Sequence, residues 1–191
     1  MLRPEWITWE ELAQCQQDAH ESNVENGVRM KCSSLTAAQL QKEVKSGITL
    51  VAVNDRKELM GMLSVLYNQV KRWWHHGEAA YICYVAVQPK YKGQGIYKLL
   101  AKKADEEITA KGINVEYLHT HSQNEPAIRA YKKDGYSSVR FSPGSGTDYY
   151  SVEMAKWLTG HGKNKLRCQL MYKLSEIVVR MLYKPGKIRR I

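Results

Sequence analysis

The residues best suited to chemistry lie between a predicted strand and a predicted helix. The apolar run at residues 81–87 is followed by Pro89 and by a short basic loop, residues 90–95, that contains Gly93 and Gly95. The first turn of a helix carries N–H groups without intrahelical partners, which attract phosphate together with the helix dipole. Glycine lets the backbone approach a ligand, and Lys90, Lys92 and Lys98 add positive charge. The stretch therefore predicts an anion site.

The elements that must position this loop alternate between helical and strand patterns. Thr8 and Glu11 predict a capping box for the first helix, Gly47 is expected to cap the second, and Asn124 to cap a later one. Because a helical crossover separates strands 79–87 and 115–121, these two strands should be parallel. The chain thus predicts an α/β or α+β domain with a mixed sheet. The expected helices are 8–20, 36–47, 95–111 and 124–135, and the expected strands are 48–53, 59–67, 79–87, 115–121, 136–141 and 148–154, with a long aromatic connection at 69–77.

The positive charge is concentrated at the carboxyl end. The chain of 191 residues has a net charge of +10, and residues 161–191 hold nine Lys or Arg against Glu176 alone. Leu166, Leu170 and Leu174 recur at helical spacing in a predicted helix over 165–183. This basic amphipathic helix suits a peripheral membrane contact. Packing against the domain, or against a second subunit in a homodimer, is the alternative. Nucleic acid is disfavoured because no recognition motif accompanies the charge.

Cysteine usage and hydropathy predict a cytoplasmic protein. Cys15, Cys32, Cys83 and Cys168 are widely spaced and form no CxxC pair, so no metal site is expected and reduced thiols fit best. The amino terminus has no apolar run typical of a signal peptide, and no segment reaches the length of a membrane span. A location peripheral to the inner membrane face fits the basic helix.

Two motifs resemble those of the GNAT superfamily of acyl-CoA-dependent N-acetyltransferases. The first is Val87-x-Pro89-x-x-Lys92-Gly-x-Gly95-Ile, and the second is Asn124-x-x-Ala127-x-x-x-Tyr131-x-x-x-Gly135-Tyr136. The resemblance extends over residues 1–157 by element order. It implies a mixed, mostly antiparallel sheet of six to seven strands flanked by helices. We therefore expect a GNAT-like domain over 1–158 and a basic helical extension over 159–191.

The resemblance also implies a binding site for acetyl-CoA, as cosubstrate. Backbone amides of the glycine loop would hold the pyrophosphate, and the strand before it would bind the pantetheine arm in a gap between splayed strands. The implied coenzyme contacts are Val85, Ala86, Val87, Lys92, Gly93, Gln94, Gly95, Ile96, Tyr97, Asn124 and Tyr131. Tyr97 stands where the family has a small residue, so its side chain must point away from the phosphates.

The implied reaction is direct attack of a neutral amine on the thioester, with both substrates bound together. The resemblance makes Tyr131 the general acid that protonates the departing thiolate, and a backbone N–H near Val85 would polarise the carbonyl. His119 and His121 project from one face of their strand and are the candidate bases; His76 and Glu78 are further candidates. The acceptor amine is left open among small molecules, amino sugars and proteins. The alternative function is a non-catalytic CoA-binding module whose basic helix binds a membrane or a partner.

Overall fold

The described part of the chain contains five α-helices and six strands. A 3₁₀ turn at Lys31–Ser34 lies between the first two helices. The computed structural model describes residues 1–28, 30–143, 149–159 and 165–183. The helices are α1 (Trp9–Glu25), α2 (Ala37–Glu43), α3 (Ile96–Ala110), α4 (Glu125–Lys133) and α5 (Lys165–Leu182). The strands are β1 (Ile48–Val53), β2 (Leu59–Arg72), β3 (His75–Val87), β4 (Val115–His121), β5 (Ser137–Pro143) and β6 (Tyr150–Trp157).

The sheet is mixed and mostly antiparallel, which confirms the predicted fold class. Within the described ranges it has six strands in the order β1-β2-β3-β4-β6-β5. The β3–β4 pair is parallel, as the helical crossover through α3 requires. The other four pairings are antiparallel. The prediction of an aromatic loop at 69–77 is wrong, because β2 and β3 continue as a long hairpin that turns at Trp73 and Trp74.

Local signals at the helix starts are confirmed, whereas two predicted helix ends are wrong. Thr8 and Glu11 form the capping box of α1, but this helix continues to Glu25 and does not end at residue 20 as predicted. Thr36 forms a second capping box with Gln39, but α2 already ends at Glu43 and is capped by Val44, so Gly47 is not its cap. A Cβ atom on Gly47 would lie 2.0 Å from the carbonyl oxygen of Val65. Glycine is needed there because the chain passes closely over β2.

The two faces of the sheet bury different helices. On β1, Leu50 and Ala52 face a core that includes Leu100 and Ile108 of α3. Val51, which alternates with them, faces a second core built from α1 and α2. Strand side chains alternate between faces, so each strand contributes to both layers. The amino-terminal helices and the glycine-loop helix therefore cover opposite faces of the sheet.

The carboxyl-terminal helix α5 covers β5, which lies at the edge of the sheet. The backbone N–H of Phe141 donates to Ser175 Oγ at 2.9 Å. Tyr172 and Val179 pack against the same core as Phe141, and the Tyr150 hydroxyl donates to the Tyr183 carbonyl. A covered edge strand no longer offers its free N–H groups to another chain. No helix within the described ranges combines the length and apolar character required to cross a membrane.

Candidate active site

A cleft opens in the sheet because β3 and β4 pair over only three residues each. The parallel register joins Ala80, Tyr81 and Ile82 to residues 116–118, and beyond these residues the strands diverge. The resulting cleft has a volume of about 750 Å³ and lies between the ends of the two strands, the glycine loop and α4. The expected gap between splayed strands is therefore present. Most of the predicted coenzyme contacts line it: Val85, Ala86, Val87, Lys92, Gly93, Gly95, Ile96, Tyr97, Asn124 and Tyr131.

A β-bulge in β3 gives the cleft its wall. Met62 and Ser64 of β2 pair with Ala86 and Cys83, so Tyr84 and Val85 together lie opposite Leu63. Tyr84 has a φ of 51°, in the left-handed region that non-glycine residues rarely adopt. Such a conformation persists only where its surroundings hold it, and bulges commonly re-aim the chain beside active sites.

Two helices hold this bulge from the far side. The fully buried Gln16 of α1 donates from Nε2 to the Tyr84 carbonyl at 2.6 Å. The Tyr84 hydroxyl donates to Glu43 Oε2 at 3.1 Å, at the end of α2. These contacts span 68 and 41 residues of sequence. The bulge therefore depends on tertiary packing.

The glycine loop has the backbone conformation that its sequence requires. Gly93 and Gly95 both have a φ of 80°, and Gly95 is the N-cap residue of α3. No heavy atom of a non-neighbouring residue lies within 4 Å of where their Cβ atoms would be, so the glycines are needed for conformation. Gln94 is absent from the cleft wall, and its side chain donates to the Lys90 carbonyl at 3.0 Å.

The lysines of the loop divide between the cleft and the surface. Lys92 lines the cleft and donates to the Ala19 carbonyl at 2.9 Å, and Lys98 lines it as well. Lys133 adds a third cation from the end of α4. Lys90 instead pairs with Glu58 at 3.3 Å and does not line the cleft. The mouth of the cleft is therefore positively charged, as a phosphate site requires.

Tyr97 turns away from the loop and contacts α4. Its hydroxyl donates to Asp134 Oδ2 at 3.0 Å. Its ring meets that of Tyr131 edge to face, with 5.6 Å between the ring centroids. Asp134 in turn lies 3.4 Å from Lys156 Nζ, which also contacts Asp105 and the buried Glu116. A side chain larger than the family's usual residue is thus accommodated by a polar network that joins α3 to α4.

Asn124 and Tyr131 occupy the side of the cleft formed by α4. Asn124 is buried, and its Oδ1 accepts from the Ala127 N–H at 3.4 Å, so it caps the helix as predicted. Tyr131 lines the cleft between Tyr97 and Tyr136. Burial raises the pKa of the Tyr131 phenol. The hydroxyl therefore carries its proton at neutral pH.

His119 and His121 lie on the same side of β4 but differ in their surroundings. His119 lines both the cleft and a smaller adjoining cavity of about 160 Å³. Burial lowers the pKa of His119; Glu153, with Oε2 3.9 Å from His119 Nε2, opposes this shift, and Arg140 adds to it. His121 is buried and lines only the smaller cavity. Its Nδ1 accepts from the Gln123 N–H at 3.0 Å, and its ring stacks on Tyr149.

The other two candidate bases lie elsewhere. His76 and Glu78 are exposed residues on the first half of β3, paired with Lys71 and Gln69 of β2. Neither lines the cleft or the adjoining cavity. The structure thus brings His119 to the splayed strands and leaves His76 and Glu78 in the outer part of the hairpin.

His20 is a cleft residue that the sequence did not single out. It lies one helical turn after Gln16 and is 8% exposed, beside Lys92 and Val85. Burial, with a smaller effect of the Lys92 charge, lowers its pKa to about 4. The available signal in the sequence was the pair Gln16 and His20, one helical turn apart on the apolar face of α1. A polar side chain on such a face needs a specific partner, so the pair indicates a polar contact there.

The two cysteines of the cleft are poorly suited to nucleophilic chemistry. Cys32 and Cys83 line it, but burial raises the pKa of both thiols, that of Cys32 to about 12. A thiol in that state is a poor nucleophile at neutral pH. Within residues 1–28, 30–143, 149–159 and 165–183, no group of three or more His, Cys, Asp or Glu is placed to hold a metal ion.

Comparison with known proteins agrees with this geometry. The sequence profile of the acetyltransferase (GNAT) family matches residues 9–136. The chain therefore belongs to the GNAT family of acetyltransferases, and the resemblance of its two motifs is confirmed. No curated protein matches the chain.

Solved structures of the family share its fold. An acetyltransferase of GNAT family from Staphylococcus aureus is 15% identical, with a TM-score of 0.62 over 83% of this chain and 98% of that one. Arabidopsis thaliana NAA60, in complex with a bisubstrate analogue, is 21% identical, with a TM-score of 0.61 over 83% and 99%. Aminoglycoside 6'-acetyltransferase type Ii is 16% identical, with a TM-score of 0.61 over 84% and 99%. At these identities the likeness concerns the fold.

Proposed function

We propose that the protein is an acetyl-CoA-dependent N-acetyltransferase. The observation that carries the proposal is the cleft between the diverging ends of β3 and β4, which joins the glycine loop at one end to Tyr131. A cationic mouth, a helix N-terminus and a bulged strand are suited to a pyrophosphate followed by an extended arm. In the GNAT family, acetyl-CoA generally fills this role.

The coenzyme would lie along the predicted contacts. The amides of residues 92–97 would bind the pyrophosphate, and Val85 to Val87 would bind the pantetheine arm through their backbone. Gln94 would contribute its backbone alone, since its side chain turns back to Lys90. The bulge at Tyr84 and Val85 withdraws backbone groups from the β2–β3 ladder beside the cleft. A preorganised N–H at that point would polarise the thioester carbonyl.

Two separate proton transfers would assist the reaction, one to His119 as the base and one from Tyr131 as the acid. The amine nitrogen attacks the thioester carbon and gives its proton to His119, the C–S bond breaks, and the departing thiolate takes the proton of the Tyr131 phenol. His119 suits the first role because it borders both the cleft and the adjoining cavity. His121 suits it less well, because its Nδ1 is already an acceptor.

The acceptor would enter through the adjoining cavity. Its wall combines aromatic residues, among them Tyr81, Tyr84 and Tyr149, with the smaller residues Cys32, Thr120 and Ser151. Aromatic faces stack on sugar rings and on cations alike. The acceptor is therefore proposed as an amine on a small molecule, an amino sugar or a protein.

The test measures thiol release from acetyl-CoA with a panel of small amines, amino sugars, an aminoglycoside and peptides, alongside calorimetric titration of the coenzyme. We expect coenzyme binding and amine-dependent release. Tyr131→Phe should lower kcat about 10²-fold, the contribution of a general acid, and leave acetyl-CoA affinity nearly unchanged.

The matched control is Tyr172→Phe, in which the phenol lost lies on α5 beside Phe141. It should keep the parent kcat. Absence of acetyl-CoA binding would refute the function itself. An unchanged kcat in Tyr131→Phe would remove Tyr131 from the mechanism.

A further inference from the structure

Helix α5 exposes an apolar side along its length. Eight large apolar side chains on it and just after it are 48 to 76% exposed: Leu166, Leu170, Leu174, Ile177, Val178, Met181, Leu182 and Tyr183. At 100° per residue, those from Leu166 to Leu182 fall within one arc of about 160°. The residues that contact the β5 region, among them Tyr172 and Ser175, lie outside this arc. Such a continuous apolar surface marks an interaction site.

The charges around this apolar arc are almost all positive. Lys173 and Arg180 lie along one edge of the arc, and Arg167 falls within the arc, in the first turn of the helix. The one acidic residue of the helix, Glu176, is paired with Arg180 at 2.9 Å. In the sequence, residues 161–191 carry nine Lys or Arg against that single Glu. A partner for this surface must therefore supply both apolar contact and negative charge.

We infer that the apolar arc of α5 binds the surface of an anionic lipid bilayer. The helix would lie in the plane of the interface, with Leu170 and Ile177 among the acyl chains and the basic residues at the level of the headgroups. This arrangement is typical of interfacial amphipathic helices, for which apolar burial and attraction to anionic lipid act together. It needs no membrane-spanning segment.

A second copy of the chain and the chain's own residues 184–191 fit this surface less well than a membrane does. A second copy packed on the same arc would bring two strongly basic segments together, since a two-fold interface places each surface against itself. The last eight residues of the chain, 184–191, include four Lys or Arg and only two Ile as large apolar residues. They offer too little apolar surface to cover an 18-residue helix.

The test uses the full chain and measures co-sedimentation with vesicles. The vesicles are phosphatidylcholine alone or phosphatidylcholine with phosphatidylglycerol at 3:1. We expect binding to the anionic vesicles, weakened in high salt, and little binding to the neutral ones. The double variant Leu170→Gln, Ile177→Gln should lower the partition coefficient about tenfold or more, because both side chains would leave the acyl region.

The control is Leu99→Gln, which changes an exposed leucine of α3 that is 59% exposed. It should bind vesicles as the parent does. Circular dichroism and thiol release would show that all variants remain folded. Equal binding of the parent and the double variant would overturn the inference. So would a vesicle-free dimer, seen by sedimentation velocity, that the double variant abolishes.

Discussion

Protonation of His20 should weaken the fold as the pH falls. The pKa of His20 is about 4 in the folded protein, against 6.5 for an ordinary histidine. Because the folded pKa is the lower one, the neutral ring stabilises the fold fully above pH 6.5, and this contribution is lost as the pH falls toward 4. Between pH 7 and pH 5 the two pKa values correspond to a loss of about 2 kcal/mol in the free energy of unfolding.

The physical cause is the position of the ring. His20 is 8% exposed and lies near Lys92, so a second positive charge there is both desolvated and repelled. Its Nε2 is buried without a hydrogen-bond partner within the described chain, and the Val85 backbone, which favours the proton, has a smaller effect than burial and Lys92. The free-energy cost of the buried charge should therefore be removed mainly by unfolding or by separation of α1 from β3.

The assay is urea unfolding of the parent and of His20→Gln at pH 7 and pH 5. The difference in unfolding free energy between parent and variant should shift by about 2 kcal/mol between the two pH values, in favour of the variant at pH 5. His76→Gln is the matched control, because that histidine is exposed on β3. It should track the parent at both pH values. If His20→Gln loses as much stability as the parent, the burial argument is refuted.

Three further predictions concern the base, the loop and the polar network. The acid limb of the kcat profile should lie below pH 6.5 and vanish in His119→Asn, because burial lowers the pKa of that ring and a base must be unprotonated. Gly95→Ala should cost about 1–2 kcal/mol in urea unfolding and also raise the KM for acetyl-CoA. Gly112→Ala, with a similar φ of 75° at the far end of α3, should cost about the same without changing the KM. Lys156→Met should cost about 3–5 kcal/mol, and Glu116→Gln added to it should recover part of that loss. An unchanged acid limb, an unchanged KM or a neutral Lys156→Met would each contradict the corresponding argument.

Much of the fold follows from local signals. β1 and β4 run over the predicted residues, and Thr8, Thr36 and Asn124 begin their helices as expected. Capping and side-chain alternation depend on neighbours a few residues away, so the sequence states them directly. The ends of elements are harder to predict. Residues 69–77 read as a loop because charged residues, two tryptophans and Gly77 show no strand alternation there, although the ladder continues to Arg72 and His75.

The site divides in the same way. The glycine loop and the α4 motif with Tyr131 could be recognised in the sequence because each lies within a short stretch of chain. Each also has its own backbone requirement, such as the φ of 80° at Gly93 and Gly95. The residues that shape the cleft around them were not. Gln16 contacts the bulge at Tyr84, 68 residues away in sequence. His20 is buried beside Val85 of the same strand, β3. No spacing along the chain encodes such contacts.

The sequence by itself determined the order of the elements and the conformation of the glycine loop, because backbone conformation and capping are local properties. The tertiary structure alone decided where β3 and β4 part, that His119 borders both cavities, and that Tyr97 is held by Asp134 and Lys156. It also decided that α5 buries one side against β5 and leaves its apolar arc exposed. These outcomes depend on which surfaces meet, and the free energy of those contacts is shared between segments far apart in the chain.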